Sequence, residues 1–174
     1  MEIENPRDFL EKQFLSNAIK YSDNKLLIFG REGVMINMGW LVKLTKHLVD
    51  EEPSVLEQAA YDGSLEPVND YDRRNAGENS VLFSINVLSA AGFGLAHVNK
   101  NGDNISVNLE GCALATVYLR IYGKNDNPVC HIIRGILRRI FDTAYGTSGE
   151  VIELDCVAQG KTNCSFLYKS SKQV

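Results

Sequence analysis

Val151-Ile152-Glu153-Leu154-Asp155-Cys156-Val157-Ala158-Gln159-Gly160-Lys161-Thr162-Asn163-Cys164-Ser165-Phe166-Leu167-Tyr168 reads as two strand-forming runs joined through a glycine turn, a closing β-hairpin. Turned about Gly160, it sets Cys156 opposite Cys164, because residues equally distant from the turn face each other on one side of the ribbon. Glu153 stands three residues before Cys156. In an ideal strand that odd offset sends the two side chains to opposite faces, so a site containing both requires a bulge or the ragged start of the strand. Cys130 follows Pro128 in the first turn of a helix, where backbone amides and the helix dipole favour an anionic thiolate.

Cys130, Glu153, Cys156 and Cys164 are therefore a candidate four-donor metal set. Thiolate sulfur is a soft ligand that selects zinc over magnesium or calcium, and three sulfurs with one carboxylate fill a tetrahedron. A filled shell points to structure rather than catalysis. The residues alone leave three other readings open: a cross-strand disulfide between Cys156 and Cys164, a buried Cys130, and an ordinary exposed Glu153. Cys112 stands outside the set and reads as a buried free thiol.

Working outward, Pro128 precedes a helix in which Ile133, Ile136, Leu137, Ile140, Phe141 and Ala144 face inward and Arg134, Arg138 and Arg139 form a solvated face. Leu95 to Val98 and Ile105 to Leu109 alternate apolar with polar across an Asn-Gly step in Asn99 to Asp103, a hairpin signal. Ala113 to Tyr122 reads as a helix, as does the stripe of Val81, Leu82, Ile85, Leu88 and Ala91 capped by Ser80 and stopped by Gly92 and Gly94. Nearer the start, Asn5-Pro6 opens a helix expected to run to about Tyr21. Lys25 to Ile36 is expected to be an irregular hairpin or loop. Met38 to Val49 is helical, and Pro53-Ser54 restarts another turn or two. Asp62 to Asn79 is polar and reads as a long surface connection. The whole is α+β, helices packed on an antiparallel sheet.

The 174 residues, 44% of them hydrophobic, suffice for a single domain over residues 1–174 that buries about 70% of its extended surface. Eighteen basic against 22 acidic residues and a pI near 5.4 give no electrostatic footprint for nucleic acid or an anionic membrane. The opening Met1-Glu2-Ile3-Glu4-Asn5 is not a basic leader, and no apolar run approaches the roughly 18 residues that span a bilayer, so a cytoplasmic protein is expected. Gly92-x-Gly94 follows a helix rather than a strand and lacks a third glycine, so it is not a nucleotide loop. His47, His97 and His131 have no motif to organise them, although His131 adjoins Cys130 and replaces Glu153 as a ligand if the hairpin register differs. Trp40, Phe83, Phe93, Tyr118 and Phe141 are candidates to line a ligand cavity, or equally to fill a core.

Pro128-Val129-Cys130, the helix start His131 to Gly135, and above all Glu153-x-x-Cys156-x-Ala158-x-Gly160-x-x-x-Cys164-x-Phe166 resemble the vinyl-4-reductase domain family. The likeness runs from about residue 92 to 168; nearer the start only the helix order agrees. It implies a small-molecule-binding fold similar to Golgi transport-particle subunits and to the sensor modules of aromatic-responsive transcription activators. It also implies that Cys130, Glu153, Cys156 and Cys164 ligate one Zn2+. In the aromatic sensors a tyrosine lies two positions before the ligand glutamate; here that position is Val151, which implies a different or more apolar ligand. A homodimer joined through the N-terminal helix is the family's expectation. Any output then comes through a separately encoded signalling partner.

The function expected is a zinc-containing, non-enzymatic sensor domain for a small apolar or aromatic molecule. The alternative is an enzyme or enzyme accessory acting on a vinyl-bearing tetrapyrrole or another hydrophobic substrate, or a zinc-dependent hydrolase. No nicotinamide or flavin motif supports the reductive version. A carboxylate that exchanges for water would be the route to the hydrolytic one.

Overall fold

The closing hairpin forms, but its strands are not neighbours of one sheet edge only. The computed structural model describes residues 3–102 and 104–171. Strands β4 (Leu95–Asn101), β5 (Asn104–Glu110), β6 (Ser148–Asp155) and β7 (Cys164–Ser171) make an antiparallel sheet in the order β4-β5-β7-β6, so β7 fills its interior between the two hairpins. The β4–β5 ladder runs from Leu95↔Glu110 to Asn101↔Asn104 beside the expected Asn-Gly step; Asp103 lies outside the described residues. Alternation fixes the sheet's faces. Ile105, Val107 and Leu109 of β5 and Phe166 and Tyr168 of β7 are buried, while their neighbours point outward.

Helix α7 (His131–Tyr145) covers that buried face with Ile133, Leu137, Ile140 and Phe141. It ends on Gly146 in the left-handed conformation, a helix C-cap that glycine adopts without strain. Helices α5 (Glu78–Ala90) and α6 (Ala113–Tyr122) complete the core through Val81, Ile85, Leu114 and Tyr118. Helix α3 (Pro53–Gly63) lies directly on α7. The contact is so close that a Cβ on Gly135 would stand 2.1 Å from the Glu57 carbonyl oxygen.

That approach corrects the reading of the arginine face as solvated. Arg134 pairs with Glu57 at 2.7 Å and Arg138 with the same carboxylate at 3.3 Å. Arg139 stacks 3.5 Å from the Tyr61 ring centroid and donates to the Tyr61 carbonyl. The polar stripe of α7 thus faces the polar stripe of another helix, which the periodicity of one helix alone does not reveal.

Three further expectations change near the start. Helix α1 (Pro6–Leu15) is capped by the Asn5 side chain but stops before Tyr21, because Asn17 adopts a positive φ and breaks the run. The following residues form an antiparallel meander of β1 (Ile19–Ser22), β2 (Lys25–Ile28) and β3 (Arg31–Gly33) in place of a loop. Its two-residue turns, Asp23-Asn24 and Phe29-Gly30, have positive φ at both positions, the geometry that matches strand twist. The polar connection is also a helix, α4 (Leu65–Asn75), which follows α2 (Met38–Glu51) and α3. Only Val68 and Tyr71 of α4 are buried, too few for a strong apolar signal, and Pro67 is tolerated in its first turn where no helical N–H is needed.

Candidate metal centre and apolar cavity

Glu153 pairs with Phe166, whereas Asp155 pairs with Ser165, so the β6–β7 register slips by one residue at Leu154. This is a bulge. It turns Leu154 out to solvent, 56% exposed, and returns Cys156 to the face that Glu153 already occupies. The odd sequence offset thereby behaves as an even one. Beyond Cys156 a short 3-10 turn, Val157–Gln159, ends on a left-handed Gly160 and brings the chain back to Cys164. There the Val157 N–H donates to Cys164 Sγ at 3.4 Å. Cys130 is the N-cap of α7, and its N–H donates to Glu153 Oε2 at 3.1 Å.

The structure brings the four candidate residues together. One donor atom from each of Cys130, Glu153, Cys156 and Cys164 lies within 4.8 Å of all the others, and all four residues are buried. The cysteines are free, so the Cys156–Cys164 disulfide is not formed. Cys130 Sγ and Cys164 Sγ are 3.7 Å apart. Two sulfurs bound at about 2.3 Å to one tetrahedral ion would be about 3.8 Å apart. Glu153 Oε1 is buried without a hydrogen-bond partner, an atom in want of a cation. The donor set and the orphaned oxygen both fit a soft divalent ion.

Electrostatics agree with that want. Burial, reinforced by the neighbouring Cys156, pushes the Glu153 carboxyl up to about 9, and burial likewise raises the Cys130 thiol. Cys112 Sγ stands 3.6 Å from Cys130 Sγ. Hydrogen bonds from Cys130 and Cys164 draw the Cys112 thiol down to about 5. A negative charge is thus shared among sulfurs, and the four donors include no cationic side chain. His131 does not join them: its Nδ1 faces Arg134 at 3.4 Å, and burial, with the Arg134 charge behind it, holds the imidazole down to about 4.

The candidate cavity residues divide. Trp40 is 59% exposed on α2, Tyr118 is buried against Tyr122, and Phe141 is buried against Tyr168. Phe83 belongs to an edge-to-face group with Phe9, Phe29 and Tyr71. Phe93 lines two adjoining spaces. One, about 190 Å³, lies among helices and is lined by Val68 and Tyr71 of α4, Ser84 and Leu88 of α5, and Ile136 and Ile140 of α7. Ser84 Oγ is buried there without a partner. The other, about 540 Å³, is a more open groove between α1, the small sheet and the end of α5. Val87 and Ala91 border both. Tyr71 was hidden by the polar composition of α4; Ser84, a polar residue on the apolar stripe of α5, is a signal that the sequence did carry.

Residues 105–170, from β5 to the end of β7, match the vinyl-4-reductase domain family. The chain carries a vinyl-4-reductase domain. No curated protein matches its sequence. Among solved structures, the phenol-responsive sensory domain of the transcription activator PoxR, with phenol, superposes with a TM-score of 0.80 at 16% identity, covering 99% of this chain and 94% of that one. A vinyl-4-reductase family protein from Methanocaldococcus jannaschii gives 0.60 at 18% identity, with 98% of each chain covered. A trafficking protein particle complex subunit 3 from Naegleria fowleri, covalently bound to palmitic acid, gives 0.52 at 14% identity over 79% of this chain and 97% of that one. The α+β architecture is therefore shared with all three, and in the first two it extends beyond the vinyl-4-reductase domain to nearly the whole chain.

Proposed function

We propose that this chain is a sensor domain for a small apolar or aromatic molecule, with a structural Zn2+ held by Cys130, Glu153, Cys156 and Cys164. The observation that carries the reading is the course of α7. Its N-cap is the ligand Cys130, and one to three turns later Ile136 and Ile140 line the helical cavity. An ion at the four donors would tie the bulged hairpin to that helix and so hold one wall of the cavity in place. Zinc supplies cross-linking and charge compensation here, and the four protein donors leave it no open position for substrate. The cavity wall is helical, so the sheet acts through α7 rather than by lining the ligand.

A space of about 190 Å³ is smaller than the 300–1,000 Å³ typical of drug-sized ligands, so it suits a molecule of about one ring. Ser84 Oγ is the polar group that would orient it. The likeness to a phenol-responsive sensory domain supports the same class, while buried Val151 argues for a more apolar ligand. We further read residues 1–174 as one functional unit and as a cytoplasmic homodimer. The exposed apolar side chains near the start, among them Leu15 at 85% and Val34 at 84%, form the face for a second copy, with output passing to a separate signalling protein. No helix among the described residues is long and apolar enough to cross a membrane.

The test is calorimetric titration of the zinc-loaded protein with benzene, toluene and phenol, repeated on Ile140→Trp, which fills the cavity. Saturable binding lost in Ile140→Trp is the expected result. Equal heats in both proteins would overturn the reading.

A further inference from the structure

We propose that Cys112 is a fifth donor of the metal centre, exchanging with Glu153 so that a soft ion is held by four sulfurs. The inference rests on the zinc reading above and extends it to which ions the centre accepts. Cys112 is the N-cap of α6 and is fully buried. Its Sγ stands 3.6 Å from Cys130 Sγ, slightly closer than the 3.7 Å that separates Cys130 from Cys164. Neighbouring sulfurs on one tetrahedral ion are about 3.8 Å apart. Cys112 is thus at co-ligand spacing from a residue of the four-donor set, and the Cys164 sulfur also acts on its thiol.

Glu153 supplies the second observation. This residue is 8% exposed, with Oε2 held by the Cys130 N–H and Oε1 buried without a partner. It is the single hard donor in a sulfur cluster. Zinc, of borderline softness, accepts an oxygen in its shell; cadmium or monovalent copper favours another sulfur. In the exchange the metal–oxygen bond to Glu153 breaks and a metal–sulfur bond to Cys112 forms. The Cys112 proton passes to the freed carboxylate, so the charge of the centre does not change. The Cys130 N–H remains on Oε2.

The exchange would reach the cavity. Ala113, next to Cys112, donates its N–H to the Phe93 carbonyl at 3.0 Å, and Phe93 lines both apolar spaces. The ion in the centre would therefore bias the position of a cavity wall.

The experiment loads the full chain with zinc or cadmium in four forms: unaltered, Cys112→Ser, Glu153→Gln and the double variant. Native mass spectrometry gives stoichiometry, chelator competition gives affinity, and X-ray absorption counts sulfurs. The cadmium protein is expected to show four sulfurs, falling to three in Cys112→Ser. Each single variant keeps one ion per chain, with zinc affinity in Glu153→Gln within about tenfold of the unaltered chain and the double variant about a further hundredfold weaker, the scale of lost metal-site contacts. Equal affinity of Glu153→Gln and the double variant, or equal sulfur counts with and without Cys112, overturns the inference while leaving the zinc reading standing. Failure of the unaltered chain to bind either ion overturns both.

Discussion

Glu153 and Cys156 lie on one face of the sheet although three residues separate them, because Leu154 is bulged out of the β6–β7 ladder. Without that slip, one of the two would face solvent. The first prediction tests the bulge itself. Deleting Leu154 leaves Glu153 two positions before Cys156 in a regular ladder, again on one face. The deletion variant is expected to keep one metal ion per chain, measured by native mass spectrometry. Loss of the ion would show that the bulge does more than correct the offset.

Metal removal should be costly. Structural zinc contributes on the order of 10 kcal/mol in small metallodomains, and about 1 kcal/mol moves Tm by 2–4 °C in a chain of this length. A chelator is expected to lower Tm by about 10 °C or more. Cys156→Ala should melt at the chelated temperature whether or not chelator is added. Cys112→Ala should bind zinc with unchanged stoichiometry. Equal metal content in Cys156→Ala and the unaltered chain would remove Cys156 from the ligand set.

Ser84 gives a prediction of opposite sign. Its Oγ is buried beside the cavity without a partner, and an unsatisfied buried hydroxyl costs about 1–3 kcal/mol. Ser84→Ala is therefore expected to stabilise the ligand-free protein by about 1 kcal/mol in urea unfolding. It should weaken binding of phenol more than of toluene. A loss of stability would mean that the hydroxyl is satisfied by bound water.

Gly135 tests the seam between α3 and α7. A methyl group there meets the Glu57 carbonyl at 2.1 Å and Ala60 Cβ at 2.9 Å, and backbone cannot yield as a side-chain tip can. Gly135→Ala should cost about 3 kcal/mol, the upper range for overpacking, and lower Tm by about 6–12 °C. A calorimetric scan that shows no shift would mean the helices can separate freely.

His131 sets the acid limb of the metal-free protein. In the fold its pKa is held down to about 4, against about 6.5 in an unfolded chain. Between those values the unfolded state binds more protons, so this contribution is complete above pH 6.5 and is lost as pH falls through 4. Allowing for solvent screening, it amounts to about 2 kcal/mol. Urea unfolding in chelator at pH 7, 6, 5 and 4 should show that decline, and His131→Gln should flatten it. Parallel curves for the two proteins would assign the acid limb elsewhere.

Much of this was legible in the sequence for definite reasons. The β4–β5 hairpin announces itself by strict alternation and an Asn-Gly step, and α7 by its apolar stripe, because those signals are local. The four donors were readable because cysteine and glutamate are specific and the hairpin turn could be placed. What escaped depends on partners distant in sequence. Helix α4 buries only Val68 and Tyr71 and so looks like a loop until α5 and α7 pack on it. The arginines of α7 look solvated until Glu57 and Tyr61 are set against them. Cys112 seemed solitary because eighteen residues separate it from the sulfur 3.6 Å away.

Strand β7 fills the middle of the large sheet, hydrogen-bonded to β5 on one edge and β6 on the other. During synthesis the ribosome therefore releases the β4–β5 hairpin, α6, α7 and β6 before the strand that unites them. Until residues 164–171 emerge, Leu109 has no Cys164 opposite it and two strand edges stay open to other chains. A nascent chain stalled short of Cys164 would be sticky and unable to assemble the four-donor centre, so its solubility should change abruptly over those eight residues.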